Sequence, residues 1–373
     1  MGLIEKYSHL QLRDTVVKVD LSAIAENMRL IREMCGPDVA VMPVIKANGY
    51  GHGAVGIAPT LMEAGATYLA VATLTEALEL REAYPDYPIF ILGHTPDHLM
   101  HIVAEQNFIQ TLANLSQAKS LSAAAVAAGK TVKAHLKCDT GFHRLGIYDE
   151  EELYEMCQQP GVEVEGIFSH LALTNEEEND KQYDLLVEMI EKLEGRGCSF
   201  KYKHIADSIA LVDYPQYRMN MVRPGALVFG LRGFSINYLD VKQCITFESR
   251  ITQIHHVKEG EGVGYDYLWR APQDTRVGTM PFGYADGYPR NMRDKGYVTI
   301  DGIKCPVLGV ICMDQVVVDL TEVPQAQEGT VGIIYGDGTN NTMSIQEACE
   351  LAGSNKNEIV ARILTRPPRV YVK

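Results

Sequence analysis

Lys46 stands at the end of an apolar run, with glycine-rich chain directly behind it, in Val44-Ile-Lys-Ala-Asn-Gly-Tyr-Gly-His-Gly53. The run 39–45, broken by Pro43, reads as a buried strand that carries an amine to the point where the chain opens into a loop. A lysine there must be solvated, paired with an acid, or used. Desolvation lowers its pKa and makes it a better nucleophile and base; snorkelling into water is the structural alternative. Other polar residues follow apolar runs in the same way: Arg144 (in Lys137-Cys-Asp-Thr-Gly-Phe-His-Arg-Leu-Gly146), His170, His204 with Ser208, and Arg223 with Gly225. Singly, each reads as a structural hydrogen-bonding group. Gathered on one rim, three cations and two histidines favour an anion bearing phosphate or carboxylate groups. Tyr50, Ser208 and the backbone amides after Gly225 are then candidate neutral donors.

The elements that must position these groups alternate along the first two-thirds of the chain. Strands are expected at 16–20, 39–45, 68–72, 88–92, 109–112, 131–137, 162–168, 202–206 and 221–229. Helices are expected from a Ser22 cap onward (Ile24, Met28, Ile31 at helical spacing), and at 54–64, 75–83, 115–128, 150–158 and 177–196. Repeated β-then-α units imply a parallel sheet with right-handed crossovers. About eight units in roughly 230 residues suit a closed (β/α)8 TIM-type barrel, whose active site lies at the carboxyl ends of its strands; an open doubly wound sheet is the alternative. Beyond about 245 the texture turns to β-rich runs with Asp-Gly and Gly-rich turns, one helix at 344–352, and a closing strand at 369–372. The expected domains are a barrel over 13–245 and a mainly β domain over 246–373, the latter joined by residues 1–12.

Bulk properties mainly exclude. With 373 residues, two domains are expected. A net charge of -14 argues against nucleic acid and anionic membrane surfaces. No signal-like start and no long apolar stretch occurs, and Lys6 spoils the myristoylation pattern suggested by Gly2. Eight scattered cysteines without CxxC or metal spacing read as reduced thiols in a cytoplasm, with no metal site.

Five strings, in order, resemble the alanine racemases, pyridoxal-phosphate enzymes with a (β/α)8 barrel followed by a β domain. They are 44–53, Leu136–Gly146, Val222-Arg-Pro-Gly225, Gly283-Tyr-Ala-Asp-Gly-Tyr288 and Ile311-Cys-Met-Asp-Gln315. The resemblance spans about residues 14 to 372. It implies that Lys46 holds the pyridoxal 5'-phosphate aldehyde and then serves as a base. Racemisation also needs an acid/base on the opposite face of Cα. The resemblance assigns that role to Tyr265, in Val263-Gly-Tyr-Asp266, supplied by the partner subunit. His170 then matches the tyrosine-contacting histidine, with Arg223 behind it. Arg223 itself is similar to the arginine aimed at the pyridine nitrogen; a guanidinium only donates there, which keeps the ring a weaker electron sink. Tyr50, His204, Ser208, Gly225, Ala226 and Thr365 fall at cofactor-binding positions. Arg144, Tyr265, Tyr284, Met313 and Asp314 fall at substrate-binding ones, Met313 acting by its backbone. Lys137 stands where many members carry a carbamylated lysine orienting the arginine; a lysine paired with Asp139 is the plainer alternative.

Departures bear on specificity. Thr365 replaces a common tyrosine that crowds the substrate side chain, and Asp207 and Phe229 replace a common Asn and Tyr. An enlarged pocket with a hydroxyl predicts turnover of serine or another small amino acid beside alanine. Basic amino-acid decarboxylases share the cofactor and barrel, but their Gly-rich phosphate loop and catalytic-cysteine motif are missing. A non-catalytic pyridoxal-phosphate-binding protein would resemble the barrel alone. The resemblance further implies a cytoplasmic homodimer with shared sites, acting on a small amino acid and supplying D-alanine for peptidoglycan.

Overall fold

The structure, a computed structural model, describes residues 10–373. The readings that fall on residues 1–9, including most of the expected 1–12 join, lie outside the described residues. The chain forms two compact units. One comprises the chain up to Ile24, Tyr50–Gly53 and Lys242–Lys373; the other comprises Ala25–Gly49 and Ala54–Val241. The expected strand at 16–20 forms as β1 (Val16–Asp20). It lies outside the barrel, because it pairs with strands near residues 247 and 370. Helix Leu21–Cys35 follows, and Asp20 rather than Ser22 accepts the Ala23 N–H that opens it.

The second unit holds eight parallel strands: β2 (Ala40–Val41), β3 (Leu69–Val71), β4 (Ile89–Ile91), β5 (Ile109–Leu112), β6 (Val132–Lys137), β7 (Val162–Phe168), β8 (Tyr202–His204) and β9 (Met221–Val222). β3 to β8 form one ordered sheet, and β2 pairs with β9. The Val44–Ala70 bridge links β2 to β3, and the Arg223 N–H to Ala206 C=O bond links the β9 side to β8, so the ring closes. Strands buried on both faces read as continuous apolar runs; Leu69, Ala70, Val71, Ile89, Phe90 and Ile91 are all buried. Helices between them bury one stripe. In Glu176–Gly195, Leu186, Met189, Ile190 and Leu193 face the core, Asn175 caps the first turn, and Glu176, Glu177 and Glu178 complement the helix dipole. Two expected strands are shorter than their apolar runs. Pro43 and the turn at Lys46 end regular pairing after β2, and Pro224-Gly225 sends 226–229 into a 3-10 turn.

The first unit is built on a nine-stranded sheet of β1 with β10 (Ile245–Arg250), β11 (Gln253–Val257), β14 (Thr275–Met280), β15 (Tyr297–Ile300), β16 (Ile303–Leu308), β17 (Val316–Asp319), β18 (Val331–Tyr335) and β19 (Arg369–Val372); β12 (Gly262–Val263) and β13 (Trp269–Arg270) make a separate hairpin. Val17 pairs antiparallel with Phe247 and parallel with Arg369. An aromatic cluster of Phe247, Phe282, Tyr288 and Tyr335 fills the core beneath. β14 and a second helix, Lys356–Ala361, are additions to the expected elements.

Candidate functional site

Lys46 opens a left-handed turn. Ala47 (φ 51, ψ 51), Asn48 (φ 53, ψ 49) and Gly49 (φ 64, ψ 42) all adopt left-handed helical angles, and Tyr50 continues at φ 51. Such a run costs about 1–2 kcal/mol for each L-residue, so external bonds must hold it. Gly49 N–H donates to Ile45 C=O at 2.8 Å, Ala54 N–H to Asn48 Oδ1 at 2.9 Å, and Ala47 N–H to Glu76 Oε1 at 2.6 Å. A Cβ at Gly49 would come within 2.8 Å of Ile57 Cδ1, which explains the glycine there. Lys46 is open to solvent, unlike the strand it ends. Surrounding protein nonetheless lowers its pKa, burial first and then Arg144, with Glu76 opposing.

Behind the rim, Arg223 is buried and donates to His204 Nδ1 at 2.7 Å, to the carbonyls of Ser169 (2.9 Å) and Ile205 (3.1 Å), and to His170 Nδ1 at 3.3 Å. Since arginine only donates, His204 accepts at Nδ1 and carries its proton on Nε2. That proton donates to His135 Nδ1 at 2.8 Å, which leaves the His135 proton on Nε2, 3.7 Å from Glu165 Oε1. The last step exceeds hydrogen-bond range but remains an electrostatic contact. Glu165 in turn accepts from Tyr68 Oη at 2.6 Å and pairs with Lys133 at 2.8 Å. A donor-only group thus begins the chain and an acceptor-only group ends it. Burial, followed by the Arg223 charge, pushes His204 well below the usual histidine range, so both linking imidazoles are neutral.

His170 feels most of the rim's charge. Burial pushes it down to about 2, reinforced by Arg223, Arg144, Lys137 and Lys46. Arg144 lies over the Phe142 ring at 4.3 Å, and Phe142 contacts the His170 ring at 5.0 Å, which connects the arginine to the histidine. Lys137 is buried at the end of β6. It reaches Cys138 C=O at 3.2 Å and the Phe168 ring at 5.1 Å, and burial, then Arg223, lowers its pKa to about 7. Asp139 instead bonds the Gly141 and His143 amides and the His143 ring. The plain Lys137–Asp139 pair is therefore not the arrangement adopted. Ser208 Oγ accepts from the Gly225 N–H (2.9 Å) and Leu227 N–H (3.2 Å), which leaves its hydroxyl proton to donate outward. Asp207 caps the helix beginning at Ser208 and bonds the Ile209 and Ala210 amides; its charge also supports Arg223. Ala226 opens the 3-10 turn beside Gly225, and Phe229 ends it, fully buried.

The barrel unit therefore brings together Lys46, Lys137, Arg144, His170, His204, Ser208, Arg223, Gly225 and Ala226. Tyr50, Tyr265, Tyr284, Met313, Asp314 and Thr365 belong to the first unit. There, Tyr284 and Ala285 N–H groups donate to the Cys312 and Met313 carbonyls, and buried Asp286 anchors this turn through Arg13. Arg366, directly after Thr365, pairs with Asp314 at 2.8 Å. Tyr265 is 68% exposed and lines a depression with Arg290, Val310 and Ile311. Sequence reasoning passed over Glu76, Phe142, His135 and Glu165. Thr73-x-x-Glu76 is a capping-box signature, and so was a readable signal; the inward histidine and carboxylate of β6 and β7 carried none.

The donor set fits a phosphorylated ligand with an aldehyde. A buried arginine donates to a neutral histidine, a lysine of lowered pKa stands on an open turn, and a serine hydroxyl is free to donate. Comparisons with known proteins agree with this chemistry. The family model described as alanine racemase, N-terminal domain, matches residues 19–233, and that for the alanine racemase C-terminal domain matches 244–371. An alanine racemase of Desulforamulus reducens is 36% identical over 365 residues, covering 95% of this chain and 98% of its own. One from Methanococcus maripaludis is 34% identical over 367 residues, covering 95% and 98%. Among solved structures, alanine racemase from Bacillus anthracis with bound L-Ala-P superposes with a TM-score of 0.91 at 31% identity, covering 97% of this chain and 95% of that one.

Proposed function

The chain belongs to the alanine racemase family, and from that premise we propose that it interconverts L-alanine and D-alanine with pyridoxal 5'-phosphate. The observation that supports this reading within the barrel is the buried Arg223, held by His204 and the Ser169 and Ile205 carbonyls and donating to His170. When bound, the cofactor supplies an aldehyde for the amino group and an electron-withdrawing ring that acidifies Cα–H. Lys46 Nζ removes or returns the proton on one face of Cα, its lowered pKa providing the neutral base. Tyr265 Oη of a second copy of the chain acts on the other face. Arg223 would face the pyridine nitrogen as a donor only, since a guanidinium has no acceptor, and its bonds to His204, Ser169 and Ile205 hold it in place. His204 thus contributes to the cofactor site from behind Arg223. The Ser208 hydroxyl and the chain at Gly225 and Ala226 would hold the phosphate, and the family resemblance assigns Tyr50 and Thr365 to the cofactor as well. Arg144 would hold the substrate carboxylate, and the same resemblance assigns Met313, by its backbone, with Tyr284 and Asp314 to the substrate.

Lys137 has the neutral amine that carbamylation requires, and we assign it that modification. Two copies complete each site, so the functional unit is a homodimer. No described helix is long and apolar enough to cross a membrane; a cytoplasmic enzyme supplying D-alanine for peptidoglycan is the role this reading implies. Serine is the second substrate we propose, on the strength of Thr365. A non-catalytic cofactor-binding protein leaves the match over 244–371 without a purpose. A chiral assay of L-alanine, D-alanine and L-serine with added pyridoxal phosphate tests the reading. Approach to a racemic alanine mixture from either enantiomer is expected, and cofactor binding without interconversion would overturn it.

A further inference from the structure

We propose that Glu76 is a positioning residue for Lys46: its carboxylate holds the left-handed turn from which the lysine emerges and is the negative charge facing the lysine amine. Glu76 lies in the first turn of helix Leu74–Ala83, where its Oε2 accepts the Ala72 N–H at 2.8 Å and the Thr73 N–H at 3.2 Å, while Thr73 Oγ1 accepts the Glu76 N–H at 3.3 Å. A capping box needs only one carboxylate oxygen and ends there. The other oxygen reaches 29 residues back along the chain to the Ala47 N–H, at 2.6 Å. One side chain thereby joins the turn after the first barrel strand to the loop after the second.

The position of that bond matters. Ala47 is the first of three consecutive left-handed residues, and Asn48 secures the far end through the Ala54 N–H. Glu76 is the side chain that secures the near end, beside the lysine. The Ala47 N–H belongs to the peptide that joins it to Lys46, so the bond holds the backbone on the carboxyl side of the lysine. Charge adds a second effect. Arg144 and Glu76 act on the Lys46 ammonium, and Lys46 acts on His170. Glu76 is the carboxylate of that group and opposes the burial and the arginine that disfavour the ammonium form.

The inference rests on Lys46 being the cofactor lysine, but its test does not require turnover. In cofactor-free protein, amide hydrogen exchange at Ala47 reports the turn, and the pH profile of Lys46 acetylation by acetic anhydride, read by peptide mass spectrometry, reports the amine. Glu76→Gln keeps one acceptor oxygen where the carboxylate had two, so it can serve the Ala47 amide or the Ala72 and Thr73 amides but not both. It is the charge test: the Lys46 profile moves to lower pH. Glu76→Ala loses the bond, and Ala47 exchanges about tenfold faster, with the profile shifted as well. Thr73→Ala removes the capping hydroxyl alone and leaves both readouts unchanged. Unaltered Ala47 exchange in Glu76→Ala means that the turn holds itself and overturns the proposal. A Thr73→Ala effect equal to that of Glu76→Ala reduces Glu76 to a helix cap and overturns it equally. A Lys46 profile unmoved in Glu76→Gln removes the charge role. Failure of the wild-type protein to interconvert alanine would instead count against the racemase reading, without touching the Ala47 result.

Discussion

Lys137 shows how burial can prepare a side chain for modification. At a pKa of about 7, much of it is the free amine near neutrality, and only the free amine adds to CO2. Addition of CO2 to the neutral amine releases one proton and leaves a carbamate anion near Arg144 and Arg223, which offsets their positive charge. Native-condition mass spectrometry near neutral pH should show the intact chain heavier by one CO2, with the mass lost on acidification. Lys137→Gln should abolish the adduct, lower activity, and leave the fold intact. The proposed role of Thr365 in substrate choice belongs to the same scale. Replacing the small residue with tyrosine, Thr365→Tyr, removes volume from the substrate side. The serine-to-alanine ratio of kcat/KM is expected to fall by roughly tenfold, since one group in a pocket is worth about 1–3 kcal/mol. An unchanged ratio would show that Thr365 does not set the preference.

Strands β6, β7 and β8 do more than surround the rim, because they carry a polar chain from Arg223 through His204 and His135 to Glu165 inside a barrel whose interior is ordinarily filled by branched apolar side chains. Gly166 in β7 makes room for it: a Cβ there would lie 2.6 Å from His135 Nδ1. Gly166→Ala should therefore displace His135 from His204 and destabilise the protein by about 1–3 kcal/mol, as overpacking does, measured by urea denaturation. Acid should weaken the same region. His135, His170 and His204 are held below the usual histidine range, by burial first. The unfolded chain takes up these protons below about pH 6.5 and the folded chain only at lower pH, so stability falls as pH drops through that value. Burial raises the Glu165 carboxyl, but His135, Lys133 and Tyr68 outweigh it and hold it near about 2. Its contribution is thus present above the ordinary glutamate value and is lost as pH falls towards 2. The urea midpoint of the cofactor-free protein should fall between about pH 7 and about pH 5, and His170→Asn should remove part of that slope. Helix and strand positions were largely legible, since apolar periodicity and caps such as Asn114, Asn175 and Ser344 are local signals. The left-handed turn at 47–50 was not, because Ala and Asn have no intrinsic preference for three such residues in a row. Neither was the place of β1, whose pattern suits either sheet and whose partners are more than two hundred residues away.

Over the whole molecule, the site residues divide by unit. Lys46, His170, His204, Ser208, Arg223, Gly225 and Ala226 gather in the barrel, whereas Tyr50, Thr365, Tyr265, Tyr284, Met313 and Asp314 belong to the β unit. Tyr265 is 68% exposed and Met313 52%, which leaves both open to the second chain of the proposed dimer. The two-base reaction needs a group on each face of Cα, and the proposed symmetric dimer would supply it twice, each barrel using the other chain's tyrosine. The strand-end lysine and the exposed tyrosine are then complementary in a testable sense. Lys46→Ala and Tyr265→Ala chains should each be inactive as purified homodimers. When the two are mixed and allowed to exchange subunits, each mixed dimer regains one site with both residues intact and one with neither. Random exchange makes about half of the dimers mixed, so activity should recover to about a quarter of the wild-type value. Recovery near that level, lost again when exchange is blocked by cross-linking each homodimer beforehand, assigns Tyr265 to the neighbouring chain. If Lys46 and Tyr265 instead served the same chain, no mixing would restore turnover, because every site would keep one defect.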